Sequence, residues 1–213
     1  MNKKFRFFYK SILVVLLVLT YNVEAQTDNK AIKTDFAVYL EAIKSKDFET
    51  SLDYLVEEVF DIIPRETMLV VMDQTFNTEG IEFTFGDFNI DTIQKPIKID
   101  STSYVILNYT SNMSIRFVSA EDEEADDEEE ATEEDEKMMR MMTQAALEQQ
   151  FGKENVSYNR STNFFDITAV KKAVAVKKDG NKQWKFLVVE KGKPFLLKAI
   201  LPNSILEEVL TED

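Results

Sequence analysis

The residue types that carry most enzymatic chemistry are unevenly supplied in this chain. It holds 39 Asp and Glu against 25 Lys and Arg, yet no His and no Cys. Without His, the commonest general base and every Ser-His-Asp arrangement are excluded. Without Cys, thiolate nucleophiles, Cys/His zinc sites, haem attachment and disulfides are excluded as well. Carboxylates, Tyr and Lys remain as catalytic groups. The five glycines form neither a GxGxxG nor a P-loop, so no phosphate cradle of that kind is encoded. Glu57-Glu58 and Glu207-Glu208 fall in helical patterns, where adjacent residues point to different faces, so neither pair makes an acid–base dyad.

Three biased segments remain as candidates for binding. Residues 121–136 contain thirteen acids and no base. Charge repulsion favours an extended, solvated insertion there. Oxygen ligands suit Ca²⁺, but a tight site needs ligands spaced by turns, usually with Gly, and the run has none. Weak, diffuse cation binding by Glu121, Asp122, Glu123, Glu124, Asp126 and Asp127 is the metal chemistry it offers; no ordered metal site is expected. Attachment to a basic partner is the other use of such a run. Lys171 to Lys198 is the opposite pole, with nine lysines against Asp179 and Glu190. It reads as an anion-binding surface or as the solvent face of an antiparallel hairpin. It carries no Arg, the residue that reads bases and phosphates bidentately, so no nucleic acid is expected as partner. The two poles together suggest an acidic cover over a basic hairpin. Met138, Met139, Met141 and Met142 are half of the eight methionines. They suit core or partner packing better than Cu(I).

The elements that position these residues follow from periodicity. Ile32, Phe36, Tyr39, Leu40 and Ile43 recur at helical spacing after Asp28 or Asn29 as cap. A second helix is expected from Asp47, with Phe48, Leu52, Leu55, Val56, Val59, Phe60 and Ile63 as its stripe. Pro64 opens a third, burying Met68, Leu69, Met72 and Phe76. The period then falls to two: Ile81, Phe83 and Phe85 alternate with polar residues. The phase jumps at Gly86-Asp87 to Phe88 and Ile90, predicting a bulge or tight bend. Ile97 and Ile99 start another strand. Tyr104 to Tyr109 is apolar on both faces, as a central strand should be, with Asn108 the polar interruption; Met113, Ile115 and Phe117 continue the sheet. Beyond the acidic run, 137–152 reads as a Met-rich helix. Strands follow at 156–158 and 164–168, a hairpin at 171–190 around Asp179-Gly180-Asn181, a last strand at 195–201, and a terminal helix from Pro202-Asn203.

Residues 1–25 read as an export signal: Lys3, Lys4, Arg6 and Lys10, an apolar run from Ile12 to Leu19, and Val23-Glu24-Ala25 before a cleavage site at Gln26. The run is too short for a permanent membrane anchor. The expected organisation is a signal peptide at 1–25 and a single α+β domain at 26–213, periplasmic or secreted and not anchored after cleavage. An acidic, disordered insertion at 119–136 interrupts the domain.

Three helices followed by a long, curved, mostly antiparallel sheet resembles the nuclear-transport-factor-2-like (cystatin-like) superfamily, in its small exported members. The likeness lies in DFAVYLEAIKSKDFETSLDYL, YVILNY and QWKFLVVE, within 30–118 and 154–210. It implies a cone whose sheet wraps the helices and whose open end holds a small ligand. Tyr104, Ile106, Asn108, Phe83 and Trp184 would line that pocket. Enzymes of that superfamily use Asp, Tyr or His in the cone; no such position is matched here, so no catalytic residue is assigned. The leading expectation is an exported, non-catalytic binding or interaction module, without cofactor. Its partner would be another protein or a small apolar ligand held in the concave sheet, and a homodimer is compatible with the fold class. The alternative is a small isomerase- or cyclase-type enzyme with a Tyr/Asp pocket; a further one is a weak cation-binding protein.

Overall fold

A computed structural model describes residues 28–118, 133–190, 192 and 194–211. The expected signal peptide and the acidic residues 119–132 lie outside the described residues. So do Glu121, Asp122, Glu123, Glu124, Asp126 and Asp127. No described helix is long and apolar enough to cross a membrane.

The protein is an α+β domain built on two long, antiparallel central strands. Helix α1 spans 28–44. After it come α2 (Phe48–Leu52), a 3₁₀ turn (Glu57–Val59) and α3 (Arg65–Phe76). Strands β1 (Ile81–Ile93), β2 (Ile97–Ile99) and β3 (Thr102–Phe117) precede α4 (Glu133–Phe151), and a second 3₁₀ turn (Lys153–Asn155) leads into β4 (Val156–Asn159). The chain ends with β5 (Phe164–Lys178), β6 (Lys185–Val188), α5 (Pro194–Ile200) and α6 (Asn203–Leu210). β3 pairs with β5 without a slip from Thr102↔Lys178 to Ile115↔Phe165. β1 and β2 line the other side of β3, while β4 and β6 share the outer edge of β5.

Because side chains alternate across a strand, the unbroken register defines two faces. On the first face, Val105, Leu107, Tyr109, Ala173, Ala175 and Phe186 pack against Ile32, Phe36 and Tyr39 of α1 and against Trp184. On the second, Ile106, Val174, Val176, Leu187 and Val189 pack against Val56 and Val59, against Leu197 and Leu201, and against Ile205, Leu206 and Val209 of α6. The apolar run YVILNY is thus sandwiched between two helical layers. Farther along the same strands, the first face carries a smaller cluster of Ile115, Val156 and Ile167 under Leu147 and Phe151 of α4.

Bulges keep β1 in phase with this arrangement. The register shifts between Phe85 and Phe88 and again between Ile90 and Thr92, so Ile81, Phe83, Phe85, Phe88, Ile90 and Ile93 all face inward. The first shift falls at the Gly86-Asp87 phase jump. Gly86 is there for room: a Cβ would lie 3.0 Å from Asn112 Cβ and 3.3 Å from its carbonyl oxygen.

Several local expectations change. The stripe from Phe48 to Ile63 buries much of its apolar surface, but only 48–52 is α-helical. The backbone leaves the helix so that Val56 N–H can donate to Phe186 O (3.2 Å) and Phe186 N–H to Tyr54 O (2.7 Å). Sheet pairing outcompetes local helix propensity. In α3 the stripe Met68, Leu69, Met72 and Phe76 faces inward but is only half-buried, while Val70 and Val71 are exposed. The strand expected at 195–201 is instead helix α5 (Pro194–Ile200): Leu197 and Leu201, the latter just past its end, lie four apart and both are buried. β5 is one continuous strand where two were expected. α4 reaches back to Glu133, with acids at the end where the helix dipole favours them.

Candidate functional site

The second face changes character at Asn108. Up to Ile106 it is covered by α5, α6 and the 56–59 turn. Beyond the row of Asn108, Lys172 and the buried Val189, no buried apolar residue lies on it among the described residues, and the alternation of β3 brings up Asn108, Thr110, Asn112, Ser114 and Arg116, with Val170 exposed opposite Thr110. The helical layer stops here because α6 ends: Thr211 O accepts a hydrogen bond from Lys172 Nζ (3.2 Å), and Lys172 is the cross-strand partner of Asn108.

The exposed stretch is a hydrogen-bonded polar ladder running across strands. Asn108 Nδ2 donates to Thr92 Oγ1 (2.9 Å), and Thr110 Oγ1 to Asp91 Oδ2 (2.7 Å). Thr168 Oγ1 donates to Asn112 Oδ1 (3.1 Å), and Ser114 Oγ to Asp166 Oδ1 (2.7 Å). At the end, Arg116 Nη2 forks onto both Glu82 carboxylate oxygens (2.7 and 2.8 Å) and its guanidinium lies 4.8 Å from the Phe164 ring centre. Thr84, Ser114, Asp166 and Ser157 form one row across four strands.

A cleft of about 270 Å³ opens on this ladder, lined by the polar residues Asn112, Ser114, Asp166, Thr168, Glu154, Asn155 and Ser157 and by the apolar Met113, Val156 and Ile167. Its chemistry is mixed: hydroxyls and amides that donate and accept and two carboxylates that accept, beside an apolar patch of Met113, Val156 and Ile167. Ser114 gives its proton to Asp166, but no imidazole stands between them, so the pair lacks the base that activates a serine nucleophile. Among the described residues no group of three or more Asp and Glu is placed to hold a metal ion. A second crevice, beside Glu58 and Lys178, has room for about one water. There Lys178 holds Glu58 below the ordinary carboxylate range despite the opposing effect of partial burial, and the same hydrogen bond raises Lys178.

The residues expected to line one ligand pocket are not brought together. Tyr104, Ile106 and Asn108 lie in line on the second face. Ile106 is sealed under the helical layer, Tyr104 is partly buried beside it, and Asn108 stands where the cover ends. Phe83 and Trp184 lie on the first face. Phe83 packs edge-on to Phe76 at 5.3 Å, and Trp184 is fully buried with α1, its backbone N–H donating to Asp35 Oδ2 (2.8 Å). Phe83 on β1 and Trp184 before β6 thus lie on the opposite sheet face from the three β3 residues. Tyr39 and Tyr109 are buried on the first face, where desolvation, reinforced by the Glu190 carboxylate, pushes both hydroxyls far above their usual range. The cleft residues Asn112, Ser114, Asp166 and Thr168 were missed from sequence, although the polar alternation from Asn108 to Arg116 signals them.

Four lysines of the basic hairpin have partners within the fold. Lys171 pairs with Glu190 (2.7 Å), Lys177 with Asp28 (2.9 Å) and Lys178 with Glu58 (2.7 Å), while Lys185 donates to Asp53 O.

Comparison with known proteins adds no relative: no family model matches this sequence, and no curated protein matches it.

Proposed function

We propose that the protein is an exported, non-catalytic binding module whose working surface is the uncovered half of the second sheet face. The observation that carries this reading is the abrupt end of the helical layer at Asn108 and Lys172. Beyond it the sheet presents an ordered polar ladder and a cleft instead of a core. The volumes between sheet and helices are filled by Phe36, Trp184, Phe186 and Ile106, all essentially buried, which favours a polar ligand or polypeptide segment over a small apolar one. Helices before a bulged antiparallel sheet support kinship with the nuclear-transport-factor-2-like superfamily. In this reading the likeness concerns element order; the α5–α6 layer occupies a face that a one-sided cone leaves open.

Native mass spectrometry of the chain purified from its own host tests the proposal, with Asn112→Trp as a variant that fills the cleft from an exposed position. A mass starting at Gln26 is expected, together with a bound species that the variant fails to retain. Identical spectra for the two proteins, free of any bound species, would remove the cleft as the site. A chain still carrying residues 1–25 would remove the export reading.

A further inference from the structure

The polar cleft has committed most of its donors and kept its acceptors open. Ser114 Oγ donates to Asp166 Oδ1 (2.7 Å), Thr168 Oγ1 to Asn112 Oδ1 (3.1 Å), and Asn155 Nδ2 to Phe151 O (2.8 Å). Only the Asn112 amide, the second Asn155 amide hydrogen and the Ser157 hydroxyl remain to donate from the side chains that line it. Asp166 Oδ2, both Glu154 carboxylate oxygens and Asn155 Oδ1 accept no hydrogen bond among the described residues, and neither carboxylate has an ion-pair partner there. No cation lines the cleft. Arg116, one row along β3, is held away from it, its guanidinium forked onto Glu82 and lying on the Phe164 ring.

That imbalance selects what can enter. An anion would meet two like charges. A neutral hydroxyl can donate to one open oxygen, but it brings lone pairs that the cleft has few donors to match. An alkylammonium or a guanidinium carries donors only, and its charge strengthens each bond that a carboxylate accepts from it. The apolar lining of Met113, Val156 and Ile167 suits the methylene stem on which such a head is carried. We propose that the cleft binds an ammonium or guanidinium head on an aliphatic stem, with Asp166 and Glu154 taking the charge and Asn155 Oδ1 a further hydrogen. This assignment rests on the reading of the cleft as the working surface and adds the chemistry of what enters it. The head comes either from a free aliphatic amine or from a lysine or arginine side chain of a polypeptide segment.

The test titrates the chain, isotope-labelled and purified as for native mass spectrometry, and follows it by amide NMR. Salt of about 0.15 M screens diffuse attraction by exposed acids. The probes are cadaverine, the neutral pentanediol of the same length, glutarate, and a capped Gly-Lys-Gly peptide. Saturable shifts at Asn112, Ser114, Asn155 and Thr168 are expected with cadaverine or the peptide, and not with the diol or glutarate. The tighter of the two cations identifies the source, free amine or side chain. Asp166→Asn should weaken binding about tenfold or more, because the carboxylate is half-buried and its bond charge-assisted. Glu154→Gln, at an exposed position, should weaken it only about threefold. Asp166→Asn keeps the oxygen that accepts from Ser114, and unchanged amide shifts elsewhere in β3 and β5 check that the sheet is intact. Equal shifts with the diol, tighter binding of glutarate, or cadaverine binding that Asp166→Asn leaves unchanged would overturn the proposal. So would silence from all four probes. The wider reading is then decided separately: a bound species retained by wild type and lost from Asn112→Trp keeps the cleft as a binding site of other chemistry, and its absence removes both.

Discussion

Strands β3 and β5 run through two environments that differ in one respect: the number of faces that are covered. Around Tyr104–Tyr109 and Ala173–Val176 the sheet lies between α1 on one side and α5 with α6 on the other, and nearly every side chain is core. Around Asn112–Phe117 and Phe164–Thr168 the same strands, in the same register, have helices on the first face only. Their second face is a ladder of Asn, Thr, Ser and Asp. The backbone is common to both halves, so the difference lies in which residues occupy the even-numbered positions and in where α6 stops. The covered half holds the two larger buried clusters; the uncovered half leaves its second face as an ordered polar surface.

The largest test of that contrast is a matched pair of cavities. Ile106→Ala, between two layers, should cost about 4 kcal/mol, and Ile115→Ala, under one layer, about 2 kcal/mol, read by urea denaturation. Equal losses would mean that the covered half is no better packed. Next in size is an alkaline effect confined to the covered half. Tyr39 and Tyr109 stay protonated in the folded state above the ordinary tyrosine range, whereas the unfolded chain ionises near pH ~10. Their contribution is full below that pH and is lost as pH rises toward the folded values. Two of the seven tyrosines should therefore ionise only with unfolding, seen as a late step in phenolate absorbance coincident with loss of Trp184 burial. Smooth titration of all seven would contradict the buried placement.

Gly86→Ala probes the bulge that keeps β1 in phase across both halves. Its methyl would press on the Asn112 backbone, and a loss of about 1–2 kcal/mol is expected, with amide shifts spreading from β1 into the cleft. A neutral substitution would show that β1 gives way easily. The smallest effect belongs to the ladder. Ser114→Ala removes one partly exposed hydrogen bond and should cost less than about 1 kcal/mol while altering the cleft's binding. If it cost as much as Ile115→Ala, the ladder would be a structural part of the sheet instead of a presented surface.

Much of this fold is legible in the sequence where the signal is local. The phase jump at Gly86-Asp87 marks a real bulge, the two-faced run YVILNY marks the sandwiched strand, and Asp179-Gly180-Asn181 turns the hairpin. Legibility fails where distant pairing decides. Leu55 and Val56 continue a helical stripe, yet Phe186, about 130 residues later, draws their backbone into pairing. The run from Phe195 to Leu201 is short and apolar, and such a run fits strand or helix until its neighbours are known. The cleft was half-visible. Asn108, Thr110, Asn112 and Ser114 alternate plainly in β3, but Asp166 and Thr168 stand opposite them only through the β3–β5 register, which no local pattern supplies.

The contacts that close α1 over the sheet carry a consequence for timing. Lys177 reaches Asp28 and the Trp184 backbone reaches Asp35, each across 149 positions of chain. The first helix made therefore has no finished seat until nearly the last hairpin has been made. Pairings this distant slow folding, and during synthesis α1 must wait for its partner before it can dock. Under the proposed export reading, that wait would leave the chain threadable through a translocation pore, the domain locking only once its C-terminal hairpin had followed.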